Sequence, residues 1–166
     1  MCIRDRNDVN GTDSGHVRIY KGDVTVPTVT SVTSSTSDGS YKVGDSISIS
    51  VNFSEPVNVL YPYSWGDPPT PQLNNGGRAA SYTSGSGSSS LIFSYTVRAG
   101  DQSSHLEYLS TSSLKGVQER GIHSGTKIRD SAGINANLTL PAVGSSNSLS
   151  GNSNLVIDTT APSAPS

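Results

Sequence analysis

The sequence predicts an all-β chain, folded as an antiparallel β-sandwich of about seven or more strands. Three observations carry this. Hydrophobic residues make up 32% of the chain and charged residues 14%, with Ser, Thr and Gly filling the difference. That composition disfavours helices, because Ser and Thr compete for helical hydrogen bonds and Gly loosens the helix. Short apolar stretches alternate with polar residues at period two, no window shows a helical period, and turn residues separate the stretches. A length of 166 residues is enough to bury a real core.

The strands follow in order. "GHVRIYKG" (15–22) alternates Val17 and Ile19 with Arg18 and Tyr20. "TVTSVTSST" (28–36) is a β-branched run bounded by Pro27 and the Asp38-Gly39 turn. "DSISISVNF" (45–53) is the clearest strand: Ile47, Ile49, Val51 and Phe53 face one way, serines and Asn52 the other. "RAASYT" (78–83) follows the Asn-Asn-Gly-Gly turn at 74–77, and "SLIFSYTV" (90–97) alternates Leu91, Phe93, Tyr95 and Val97. "SGSGSSS" (84–90) between them fits a hairpin loop. Weaker stretches are "HLEYL" (105–109), "TKIR" (126–129), "NLTL" (137–140) and "NLVI" (154–157). This many short strands with turns between them indicates a sandwich of immunoglobulin type. The cysteine pair and core tryptophan of antibody domains are absent, and Trp65 lies in a Pro-rich stretch.

Composition excludes several functions. A formal net charge of −2 gives no basic field for nucleic acid, and every apolar run is far shorter than a bilayer-spanning helix. Cys2 has no cysteine with which to pair. It stands in "MCIRDR" (1–6), which matches nothing in the composition that follows and reads as a non-native leader. His16, His105 and His123 lack metal-ligand spacing, and no Gly-x-Ser-x-Gly elbow occurs, so the chain reads as non-catalytic. Aromatic residues are 6% of the chain, too few for a general sugar-stacking platform. The exception is the loop "YPYSWGDPPTP" (61–71), whose Tyr61, Tyr63 and Trp65 either stack on a ligand such as a glycan or cap the open edge of the sandwich.

One pattern recurs. Asp23-x-Thr25-x-Pro27 reappears as Asp158-x-Thr160-x-Pro162, once before the first sandwich strand and once after the last. The interval of 135 residues suits one domain. Taken together, "DGSYKVGDSISISVNFSEPV" (38–57), "LNNGGRAASYTSGSGSSSLIFSYTVRAGD" (73–101), "IRDSAGINANLTLP" (128–141) and "LVIDTTAPSAP" (155–165) resemble a bacterial immunoglobulin-like repeat domain, the kind strung in tandem in large secreted or surface adhesins. The resemblance covers roughly 23–162. The chain departs from the family pattern at His105, at Ile134 and Asn135 of the Asp130 turn, at the Asp23 border and in the long loop 61–71.

The resemblance implies a non-catalytic spacer module of a long extracellular or cell-surface protein. Residues 7–22 would close a preceding module, since "GTDSGHVRIYKG" is similar to the closing strand of a propeller-type repeat. Residues 23–157 would form the sandwich, and 158–166 the linker to the next. Related repeats carry calcium at their junctions. In an immunoglobulin-like sandwich Asp23, Glu55 and Asp130 would meet at one pole, and Asp101 and Asp158, with Glu107 nearby, at the other; with Asn135 these are the candidate calcium ligands. Calcium takes about six to eight oxygens, so an adjacent module of the same chain would have to complete each site. The same acids serve equally as turn-forming and capping residues at strand ends. The alternative function is a carbohydrate- or receptor-binding module acting through the aromatic loop 61–65, with a surface glycan or a host receptor as partner.

Overall fold

A computed structural model describes residues 22, 24–60, 68–115 and 126–163. The chain is an all-β sandwich, built from β1 (Val29–Ser34), β2 (Gly39–Tyr41), β3 (Ser46–Leu60), β4 (Thr70–Pro71), β5 (Ser81–Ser84), β6 (Ser88–Thr96), β7 (Gln102–Ser103), β8 (Leu114–Lys115), β9 (Lys127–Arg129) and β10 (Leu155–Asp158). One helical turn, α1 (Leu149–Asn152), precedes β10. The main sheet runs β1-β3-β6-β5, with β9 added to the far end of β3. A second sheet runs β2-β10-β7, and β4 pairs with β8. Among the described strands the pairing is antiparallel except that β10 runs parallel to β2, with Leu155 opposite Gly39, and the isolated Thr28–Asn137 bridge is parallel too.

The period-two alternation of β3 and β6 drives this arrangement. Ile47, Ile49, Val51 and Phe53 are buried, as are Leu91, Phe93, Tyr95 and Val97 on the neighbouring strand. They face Leu73, Leu106, Tyr108, Leu149, Leu155 and Ile157, contributed largely by the opposite layer. Fully burying a side chain such as Phe93 stabilises by about 2–3 kcal/mol. The outer face of the main sheet is hydroxyl-rich and knitted laterally. Asn52 donates to Ser31 and Thr33 and accepts from Ser90 Oγ at 2.6 Å.

Several expectations shift. The strand at 45–53 does not stop at Phe53 but continues to Leu60. Its register against β6 jumps from Asn52–Ser90 to Val57–Ser88, so Phe53–Pro56 stand opposite Ser89 alone and form a bulge. Glu55 therefore lies inside a strand and not in an inter-strand loop. Pro56 is tolerated there because a bulge residue needs no ladder N–H. The hairpin loop at 84–90 is only Gly85–Gly87, β6 beginning at Ser88. Stretches 105–109 and 137–140 form no strands; they contribute the isolated bridges Leu73–Tyr108 and Thr28–Asn137. Residues 15–21, Asp23 and the aromatic loop positions Tyr61, Tyr63 and Trp65 lie outside the described residues.

Candidate functional site

The acids distribute over two poles of the sandwich. At the trailing pole β3 begins: Gly44 N–H donates to the Val97 carbonyl and Val97 N–H to that of Asp45, both at 2.9 Å. At the leading pole, Ser54 N–H donates to the Thr28 carbonyl at 2.8 Å and Asn137 N–H to that of Pro27 at 2.8 Å. Ser46 and Ser54 stand eight strand steps apart, which separates the poles by about 27 Å. The chain thus comes in through Val24–Pro27 at one end and leaves through Thr159–Pro162 at the other.

Asp101 holds the trailing pole together. Its Oδ2 accepts the Tyr95 hydroxyl at 2.6 Å and the Arg98 N–H at 2.9 Å, and its Oδ1 accepts Arg78 Nε at 3.1 Å. Burial pushes this carboxyl up, but those hydrogen bonds and the Arg78 charge outweigh it and hold the group below the ordinary carboxylate range. Burial, and then the bond to Asp101, push the Tyr95 hydroxyl far above the usual phenol value. The departing chain is fastened to the same turn: Gly100 N–H donates to Thr159 Oγ1 at 3.2 Å, and that hydroxyl donates to the Asp101 carbonyl at 2.9 Å. Gly100 takes a φ of +88°, which the tight Arg98–Asp101 turn requires. Asp158 is exposed; its Oδ1 accepts the Thr160 N–H at 2.9 Å and the Thr160 hydroxyl, which lower its pKa.

Glu107 does not join Asp101 and Asp158. Its buried carboxylate turns under α1, where Oε1 accepts the N–H groups of Tyr108 and Leu149 at 3.0 and 3.2 Å. Oε2 accepts Ser150 N–H at 3.1 Å, Ser150 Oγ at 2.7 Å and Gly144 N–H at 3.4 Å. A helix start leaves backbone N–H groups unpaired, and Glu107 supplies the acceptors from 42 residues away. Ser148 completes the cap by accepting Gly151 N–H at 3.2 Å.

At the leading pole the antiparallel pairing of Asn58 with Arg129 carries the Asp130–Ile134 turn toward the Glu55 bulge. Asp130 is buried; its Oδ1 accepts Ile134 N–H at 2.8 Å, while its Oδ2 is buried with no hydrogen-bond partner. Gly133, at φ +89°, closes the turn, and Asn135 is exposed beyond it, in an antiparallel bridge with Arg129. Glu55 Oε2 accepts Thr25 Oγ1 at 3.1 Å. Both Asp101 carboxylate oxygens are thus committed to internal donors, whereas Asp130 carries a buried oxygen without one. Among the described residues no group of three or more acidic, His or Cys side chains is arranged to hold a metal.

What sequence reasoning missed is the set of donors. Tyr95, Arg78, Thr159 and the α1 amides give Asp101 and Glu107 their roles, and only the Thr-Thr step after Asp158 hinted at this. No family model matches the chain, and no match was found among curated proteins or among solved structures. No helix among the described residues is long and apolar enough to cross a membrane.

Proposed function

We propose that residues 23–157 are a non-catalytic spacer module of immunoglobulin type in a long extracellular or cell-surface adhesin-like protein, joined in line to further modules of the same chain. The observation that carries this reading is the pair of fastened poles. The incoming segment is bonded to Ser54 and Asn137, and the outgoing one to the Gly100–Asp101 turn at the far end. A module built this way transmits length and direction. The recurrence of Asp-x-Thr-x-Pro at both borders and the resemblance to bacterial immunoglobulin-like repeats support the same reading.

Calcium fits the leading pole better than the trailing one. Asp130 offers a buried oxygen without a donor, and Glu55 lies toward the same end, where an adjacent module would add further oxygens. A bound cation would neutralise these acids and stabilise the junction. Asp101 and Glu107, fully engaged with internal donors, are structural in this reading. Calorimetric unfolding of a two-copy chain tests it. Calcium is expected to raise the melting temperature, and Asp130→Asn to remove the rise. Equal melting temperatures in calcium and in chelator would overturn the calcium component.

A further inference from the structure

We propose that Asp158–Pro162 staples two modules together through adjacent threonines: Thr159 grips the body the chain leaves, and Thr160 grips the bulge glutamate of a like body that follows. The inference rests on the tandem reading above. Asp158-Thr159-Thr160-Ala161-Pro162 aligns with Asp23-Val24-Thr25-Val26-Pro27, so Thr160 takes the place of Thr25, and Thr159 that of Val24. Both grips have a counterpart in this one chain. Thr159 Oγ1 bridges Gly100 N–H and the Asp101 carbonyl at 3.2 and 2.9 Å. Thr25 Oγ1 donates to Glu55 Oε2 at 3.1 Å.

Successive side chains of an extended segment point to opposite sides. One pentapeptide can therefore present position 159 backward and position 160 forward. On the incoming segment Val24 is 77% exposed and Val26 50%, and Thr25 is exposed as well. Val24 occupies the place of Thr159, so its outward side chain is placed to lie against the trailing turn of a preceding body. A valine there adds apolar contact where Thr159 adds hydrogen bonds.

In the single chain the Thr160 hydroxyl donates to Asp158. Engaging the next glutamate redirects that donor, while Asp158 keeps the Thr160 N–H. Only one peptide unit then separates the two anchors, leaving almost no slack between modules.

The test uses a two-copy chain, residues 1–162 followed directly by 28–166, so that 158–162 stand in for 23–27. Spin labels at Ser35→Cys in each copy, in a Cys2→Ser background, report the distance between modules by electron–electron dipolar spectroscopy. A narrow distribution is expected. Thr159→Ala, Thr160→Val and Glu55→Ala in the second copy should each broaden it severalfold, and Thr160→Ser should restore it. Circular dichroism checks that each variant remains folded. A narrow distribution unchanged by all three substitutions would overturn the staple and leave the spacer reading standing. A broad distribution in the unsubstituted chain, with calcium and without it, would overturn both.

Discussion

The hydroxyl of Tyr95, in the core of the main sheet, donates a 2.6 Å hydrogen bond to Asp101 Oδ2, at the turn to which the departing chain is fastened. Core and outgoing segment are thereby tied together. The carboxylate that shapes the trailing turn takes its shortest bond from a residue of β6, and its own carbonyl receives Thr159. Tyr95→Phe removes that donor and leaves a buried carboxylate with one fewer partner. It is expected to cost about 1.5–3 kcal/mol, the usual range for a hydrogen bond to a charged group. Urea unfolding at neutral pH measures the loss, and amide exchange at Gly100 should rise with it.

Asp101 also sets an acid limit. Its folded pKa lies below the ordinary value of 3.8, so the folded state holds the carboxylate more tightly than the unfolded chain does. That contribution is fully present above the unfolded value and is lost as pH falls through the folded one. Stability should therefore decline from about pH 4 downward. In Asp101→Asn that part of the decline should vanish, against a lower plateau at neutral pH. Unfolding free energies from pH 2 to 7 for both proteins provide the comparison.

Glu107 is expected to matter for the local fold of 144–152. Glu107→Ala removes an acceptor shared by Tyr108, Gly144, Leu149 and Ser150, leaving the buried Tyr108 and Leu149 amides unpaired. The expected loss is about 3 kcal/mol. Hydrogen exchange should speed first at Leu149 and Ser150. Calcium should not alter the exchange there, since none of this acid's role involves the poles.

The β5–β6 hairpin gives a test of backbone constraint with an internal control. Gly85 and Gly87 both have positive φ, but a Cβ on Gly85 would come within 2.1 Å of the Ser90 carbonyl oxygen. A Cβ on Gly87 meets nothing nearer than the Asn58 side chain at 3.8 Å. Gly87→Ala should cost about 1–2 kcal/mol for the left-handed conformation alone. Gly85→Ala should cost clearly more. Equal melting temperatures for the two variants would contradict the close approach at Gly85.

How much of this was legible in the sequence follows from which forces act locally. The alternation of Ile47, Ile49, Val51 and Phe53 revealed β3 because one face of the strand must be buried. The same pattern could not reveal that β3 runs through Ser54–Pro56, because a bulge interrupts the period that identifies a strand. Two-residue strands such as β4 and β8 carry no period at all. The helical turn at Leu149–Asn152 escaped notice because Ser, Gly and Asn are poor helix formers and, beside the Ser148 cap, its first amides are taken by Glu107 from far along the chain. For the acids, position along the chain put Asp101 and Asp158 at one end. It said nothing of Tyr95, Arg78 or Thr159, the donors that separate a structural carboxylate from one with an oxygen to spare.

The in-line spacer is tested most directly by small-angle X-ray scattering on the two-copy chain in calcium. Because each module is fastened at opposite poles, its maximum dimension should approach twice that of the single-copy chain. A compact particle, with the two modules folded side by side, would contradict the in-line arrangement.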